Sequence, residues 1–287
     1  MKVTNSYISG FKMSFRNIKM TFLIYCINLV LALLVMFPLL SFLKEGFGNS
    51  MLPDALLKGF DFTSLADFLR SIKGLGSTIA QARWTILFYF VLSMFMAGGI
   101  LFSFNSKERF SIKSFLNGCV HYFFRFFKLF FYMLIFNLFV AAIVYLPLII
   151  IVKSASDTVS SEATLFYIVL FGVVIHLILL AILQMVAYYT KIRVVSEDSR
   201  KVFRSIFRSL KFVFKHFANT FSLFLLQLVA PIFLLIVILF LNSNVGMTSG
   251  ITILTMFIFQ QMFILSRVFT RIWMYGSQSD LYSKYNQ

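Results

Sequence analysis

The residues whose chemistry stands out are seven polar side chains set inside apolar runs: Asn28, Asn137, His176, Gln184, Gln227, Gln260 and Gln261. Amides and an imidazole at such positions bond across helices, contributing about 0.6 to 2 kcal/mol each. They are also the default candidates for an intramembrane site. None has an acidic neighbour within its own run, because all ten Asp and Glu residues fall in predicted loops or tails. Proton relays and cation-coupled transport usually rest on intramembrane carboxylates, so this distribution weighs against them. His176 therefore reads as a neutral packing residue. The chain also lacks H-E-x-x-H, G-x-S-x-G and G-x-x-x-x-G-K-[ST] patterns, and its two cysteines, Cys26 and Cys119, form neither a metal pair nor a structural disulfide. The expectation is a protein without catalytic residues, metal or cofactor.

A second group is cationic. Lys12, Arg16 and Lys19 form one stripe at helical spacing; Lys113, Asn117, His121, Arg125 and Lys128 form another; Arg204, Arg208, Lys211 and Lys215 form a third. Phenylalanine and leucine lie between them, which is the pattern of a helix resting in a membrane interface with cations toward headgroups. The same stripes would also serve as plain topology determinants. Anionic lipid attracts each such cation by about 1 kcal/mol, so the predicted headgroup contacts are Lys12, Arg16, Lys19, Lys113, Arg125, Lys128, Arg204, Arg208, Lys211 and Lys215.

The elements that must position these groups are apolar. Of 287 residues, 60% are hydrophobic and only 13% charged, against roughly 25% charged in soluble domains. Six stretches reach the ~20 residues of a membrane-spanning helix: 20–43, 84–104, 129–152, 163–188, 220–241 and 251–272. The first is too long for a secretory signal core and runs into Phe37-Pro38-Leu39-Leu40, so it reads as a retained span. A net charge of +16 would suggest nucleic acid in a soluble protein, but the cations sort by loop. Twenty of the 26 Lys and Arg lie on the side holding both termini. The positive-inside rule makes that side cytoplasmic. Phe, at 39 residues, is very frequent, in keeping with the composition of AT-rich genomes.

Aligning the segments that enter the first, third and fifth spans reveals a threefold repeat with offsets of 109 and then 90 residues. Phe15-Arg16 matches Phe124-Arg125 and Phe214-Lys215, Asn28 matches Asn137 and Gln227, Ala97 matches Ala187, and Lys107-Glu108 matches Glu197-Asp198. The predicted fold is thus all-α and polytopic, a single membrane domain of three parallel two-helix repeats (8–104, 105–190 and 196–275) with basic amphipathic interfacial helices. An outer loop at 44–83 is expected to carry one or two short amphipathic helices around Leu56–Ile72, and 276–287 reads as a C-terminal tail. Gly98-Gly99 suggests close helix packing.

The run Gly98-Gly99-Ile100 through Lys107-Glu108-Arg109-Phe110-Ser111, the run Glu197-Asp198-Ser199-Arg200 with Phe203-Arg204-Ser205, and Gly59-Phe60-Asp61 resemble segments of uncharacterised bacterial six-helix membrane proteins. More distantly, the chain is similar to the membrane domain of bacterial glycerophosphodiester phosphodiesterases, which also repeats a basic segment before a span. The resemblance implies a helical fold in the bacterial inner membrane. No phosphodiesterase domain is present, so that activity is not implied. The functional expectation is a non-enzymatic protein that binds or moves lipid or another hydrophobic substrate, with anionic membrane lipids as partners and no nucleic acid. The alternatives are a structural or assembly subunit with membrane-protein partners and, last, the permease half of an ATP-driven exporter.

Overall fold

The computed structural model describes residues 2–48, 62, 63, 66, 75–106, 110–156, 162–245 and 249–286. Among these, eight helices and no strand occur: α1 (Lys2–Arg16), α2 (Ile18–Phe47), α3 (Leu75–Asn105), α4 (Ile112–Ser156), α5 (Glu162–Ser196), α6 (Val202–Lys215), α7 (Phe217–Asn244) and α8 (Gly250–Asn286). Six of them, α2, α3, α4, α5, α7 and α8, are long and apolar enough to cross a membrane. The chain is a polytopic helical membrane protein. The helices expected in the outer loop lie largely outside the described residues.

Length explains where the packing sits. At 1.5 Å per residue the 45 residues of α4 reach about 68 Å, more than twice a ~30 Å hydrocarbon core. The 35 residues of α5 and 37 of α8 likewise overshoot. The surplus lies at the end that carries both termini, called here the basic end, and most of the buried side chains cluster there: Phe115, Cys119, Tyr122 and Phe126 on α4, Met185 to Val195 on α5, Val268 to Tyr282 on α8. The most apolar window of α4 has no buried residue, and that of α5 only 6%. The apolar flanks are turned outward, as lipid as solvent requires. Pro38, Pro147 and Pro231 stand inside spans without ending them, a tolerance typical of membrane helices.

The chain divides into two compact units, Met1–Thr21 with Met94–Gln287, and Phe22–Ser93. In the first unit each of the three basic segments packs on an even-numbered span. α1 lies along α8, the start of α4 lies against residues 98–102 of α3, and α6 lies against α5. Small residues allow the approach: a Cβ on Gly10 would meet Ser277 Oγ at 2.2 Å, one on Gly98 would meet the Gly118 carbonyl at 2.9 Å, and one on Gly99 would meet Cys119 Sγ at 2.5 Å. Gly10, Cys119 and Ser209 occupy one column of the 109/90 alignment, and all three are buried.

Two of the basic segments are separate helices and one is not. α1 ends at Asn17, whose side-chain amide donates to the Met13 carbonyl at 2.9 Å while its own carbonyl accepts from Met20 N at 2.8 Å. α6 ends at His216, whose backbone N–H donates to Phe212 O and whose carbonyl accepts from Thr220 N. Phe126, the residue aligned with both, lies in unbroken helix and is buried. Residues 276–286, expected as a tail, continue α8 and include Gly276, Ser277, Gln278, Leu281 and Tyr282 in its buried face. Asp280 accordingly sits on a helix rather than in a tail. The sequence there is too polar to extend an apolar run, but it is helical because α1 covers it.

Candidate functional site

The repeat-aligned pairs Phe15-Arg16, Phe124-Arg125 and Phe214-Lys215 share one arrangement. The phenylalanines are 64%, 71% and 57% exposed, each followed by a cation. A large ring held in the open beside a cation suits the boundary between acyl chains and headgroups. The faces behind them are fixed by protein contacts: Ser6, Gly10 and Ser14 on α1, Phe115, Cys119 and Tyr122 on α4, and Ser205, Ile206, Ser209, Phe212 and Val213 on α6. The three rings, with Arg16 and Lys215, therefore face outward because the other side of each helix is already committed.

On α1, Lys12 and Arg16 line a surface groove of about 450 Å³ with Asn5, Ser9, Ile8 and Met13. Its floor is anchored from α8, since Ser9 Oγ donates to Asp280 Oδ1 at 2.9 Å and Lys284 Nζ donates to Ser6 Oγ at 3.0 Å. Trp273 Nε1 donates to the Tyr7 carbonyl at 2.8 Å, and the two rings lie 4.3 Å apart. Lys19, just past the break, is exposed. On α6, Arg204, Arg208, Lys211 and Lys215 are exposed together with Phe203, Phe207 and Phe214. Phe212 is not part of this outer face. It is buried against Tyr189, Tyr282 and His216 at ring distances of 5.1 to 5.2 Å.

The α4 segment is used differently. Lys113 and Lys128 are exposed, but Arg125 is drawn into a cluster with the loop after α5. Its Nη1 donates to Asp198 Oδ1 at 2.6 Å, and His121 Nε2 and the Tyr122 hydroxyl reach the same oxygen at 3.1 and 3.3 Å. Asp198 is placed there by its backbone. It has φ +43, and the Ser199 N–H bonds the Val194 carbonyl at 3.1 Å. That is a Schellman ending, whose left-handed residue is usually Gly, and aspartate is among the few side chains that tolerate it. The Asp198 carboxyl is held below its ordinary value of 3.8 by the Arg125 hydrogen bond first and the His121 bond second. Next to it, Glu197 ties three helices, pairing with Arg193 at 2.9 Å and Arg208 at 3.9 Å and accepting from the Tyr282 hydroxyl at 3.2 Å. The sequence marked Glu197-Asp198 only as a repeat column and gave neither carboxylate a role, because Arg125 and Tyr282 lie 73 and 85 residues away.

The intramembrane candidates separate. Gln227 is 2% exposed and bonds across to α8: Gln278 Nε2 donates to its Oε1 at 3.0 Å, and its own Nε2 donates to the Met274 carbonyl at 3.4 Å. Gln278 was missed because it fell in the presumed tail. His176 meets Tyr145 at a tilted ring contact, centroids 5.2 Å apart, with Nδ1 buried and unbonded. Asn137 has a buried, unbonded Oδ1. Asn28 and Gln261 are half-buried, while Gln184 and Gln260 are exposed. Of these candidates, Gln227 makes a bond to another span and His176 a ring contact with one. Among the described residues no group of three or more His, Cys, Asp or Glu is placed to hold a metal.

Comparison with protein-family models, with curated proteins and with solved structures finds no match.

Proposed function

We propose that this chain is a non-enzymatic integral membrane protein that binds or moves lipid or another hydrophobic substrate, with its basic end in the cytoplasm of a bacterial cell and its three basic segments against anionic headgroups of the inner leaflet. The observation that carries the reading is the triplet of exposed rings at Phe15, Phe124 and Phe214, each beside a cation and each backed by a helix face already packed on protein. Apolar burial alone would give the exposed rings no reason to stay in water, at about 25 cal/mol per Å². An interface of acyl chains and phosphates satisfies both ring and cation. The repeat explains why the arrangement recurs three times, and it sets the chain beside the membrane domains of glycerophosphodiester phosphodiesterases as a proposed kinship.

The test is lipid retention. Native mass spectrometry of the full chain released from detergent should show bound phosphatidylglycerol in preference to phosphatidylcholine. The combined Phe15→Ser, Phe124→Ser and Phe214→Ser variant, with Arg16→Gln and Lys215→Gln, should lose that preference while keeping its melting temperature. A variant that keeps the preference unchanged would count against the reading. The second reading, an assembly subunit, is favoured by the apolar windows of α4 and α5, which the chain itself hardly covers. Stable co-purifying membrane subunits in place of lipid would select it.

A further inference from the structure

Lys191 on α5 occupies an uncommon setting. Under the 90-residue offset that pairs Ala97 with Ala187, it stands where the first repeat carries Leu101, which is buried, and Tyr188 stands where the first repeat carries Gly98. A buried leucine and a contact glycine have become a lysine and a tyrosine. The Lys191 ammonium lies 5.5 Å from the centroid of the Tyr188 ring and 6.0 Å from that of Tyr275 on α8, and the two rings meet edge to face at 5.5 Å. Arg271, one turn before Tyr275, also faces the Tyr275 hydroxyl, as does Lys191. Two cations from two spans thus converge on one phenol.

The carboxylates near it do not explain the lysine. At this end of the bundle Glu197 is engaged by Arg193 and Arg208, Asp198 by Arg125 and His121, and Asp280 by Lys284. Among the described residues none of them pairs with Lys191. The depth of the cluster suggests its counterion. Lys191 follows directly on the apolar run of α5, and Arg271 comes about 20 residues into α8, the number that crosses the hydrocarbon. Both heads therefore stand at phosphate level, where tyrosine hydroxyls and basic pockets between spans meet lipid headgroups.

We propose that Lys191 and Arg271, the two half-buried cations that flank the buried Tyr275, hold the phosphate of one anionic phospholipid between α5 and α8 with the hydroxyl of the half-buried Tyr188. It rests on the lipid-facing reading above but differs from it in kind: one lipid at a built site, rather than many along exposed stripes. The aromatic faces keep the ammonium in place when the site is empty by cation–π attraction.

Phosphatidylglycerol is titrated into the full chain in detergent and followed by native mass spectrometry. Wild type should bind the first lipid more tightly than later ones. Lys191→Leu, which restores the residue of the first repeat, should weaken that first step about fivefold, the worth of one interfacial cation, and leave later steps unchanged. Lys191→Arg should keep it. If Lys191→Leu lowers the melting temperature by itself, Lys191→Gln serves in the same comparison. The five-residue variant of the preceding section should do the reverse, losing later lipids and keeping the first, so the two proposals fail separately. An unchanged first step in folded Lys191→Leu and Lys191→Gln overturns the site. Displacement of that first lipid by millimolar inorganic phosphate overturns the lipid as its occupant and assigns a soluble phosphate instead.

Discussion

Asp198, in the left-handed position that ends α5, receives Arg125 of α4 on a single carboxylate oxygen at 2.6 Å. The pair joins the second basic segment to the start of the third. Because the Asp198 side chain is 62% exposed, the bond is worth no more than the ~0.2–1 kcal/mol of a surface ion pair. The Asp198→Asn variant, which still tolerates the backbone, should be less stable than wild type by that amount at neutral pH. The folded-state value is depressed, so the contribution is full above 3.8 and is lost as pH falls through the depressed value. Thermal melts of the two proteins should therefore converge below about pH 4. A constant gap down to lower pH would show that the carboxylate charge is not its source.

A stronger effect is expected at the crossing of α1 and α8. A Cβ on Gly10 would stand 2.2 Å from Ser277 Oγ and 2.4 Å from its backbone N, whereas one on Gly276 would be 3.1 Å from the Gly10 carbonyl. The first cannot be relieved by moving a flexible side chain alone. Gly10→Ala should cost about 1 to 3 kcal/mol, the usual range for overpacking, and expose the amides of α1 to hydrogen exchange. Gly276→Ala should cost less. Equal melting temperatures for wild type and Gly10→Ala would mean that α1 is not held at this crossing.

The six spans and the basic segments were legible because both are local signals, a run of apolar residues and a period of cations. What the sequence hid is relational. Residues 276–286 were read as a tail since their polarity only makes sense once Ser9, Tyr7 and Ser6 are packed opposite. Arg125 looked like its counterparts Arg16 and Lys215, and the turn at Asp198 gives it a carboxylate partner from another part of the chain. Phe212 looked like the neighbouring exposed rings, yet it falls on the inner face that Tyr189 and Tyr282 cover. Hydrophobicity alone does not say whether a ring meets lipid or protein.

The break between α6 and α7 should be sensitive to acid. The His216 ring stacks on Tyr285 at 4.1 Å, and its pKa is lowered from 6.5 by burial first and by the charges of Lys215 and Lys2 after that. With the folded value depressed, stability is full above 6.5 and falls as pH drops toward the folded value, where the unfolded chain gains its proton first. His216→Phe keeps a ring in the stack and removes the proton. Between about pH 7 and 5 its melting temperature should change less than that of wild type. Parallel pH profiles would exclude His216 as the titrating group.

The buried amide pair offers a cycle. Gln227→Leu leaves Gln278 Nε2 without its 3.0 Å acceptor, and a buried donor without a partner costs about 1 to 3 kcal/mol. Changing both Gln227 and Gln278 to Leu removes donor and acceptor together. The double variant should be closer to wild type than either single change, with a coupling of about 0.6 to 1.7 kcal/mol between them. Additive losses would show that the bond contributes nothing at this depth.

The last prediction separates orientation from headgroup contact on α6. Topology depends on the summed charge of a loop, whereas contact depends on which face carries it. Exchanging neighbours moves charge without changing its total. A swap at Phe212 would bury a cation against Tyr189 and Tyr282, so a loss there would report only a broken core. Phe203 with Arg204, and Phe207 with Arg208, are all exposed; their exchange gives up the 5.5 Å ring contact of Phe203 with Tyr132 of α4, which the melting temperature reports separately from lipid retention. The Arg208 contact to Glu197 is long, at 3.9 Å, and is surrendered at small cost. If the stripe only sets topology, the exchanged protein should insert, melt and retain lipid like wild type. If α6 lies on the membrane surface, displacing two cations should weaken retention of phosphatidylglycerol by up to about 2 kcal/mol in total, one for each cation moved. The preference for phosphatidylglycerol over phosphatidylcholine measures this directly, because the net charge of the chain is the same in both proteins.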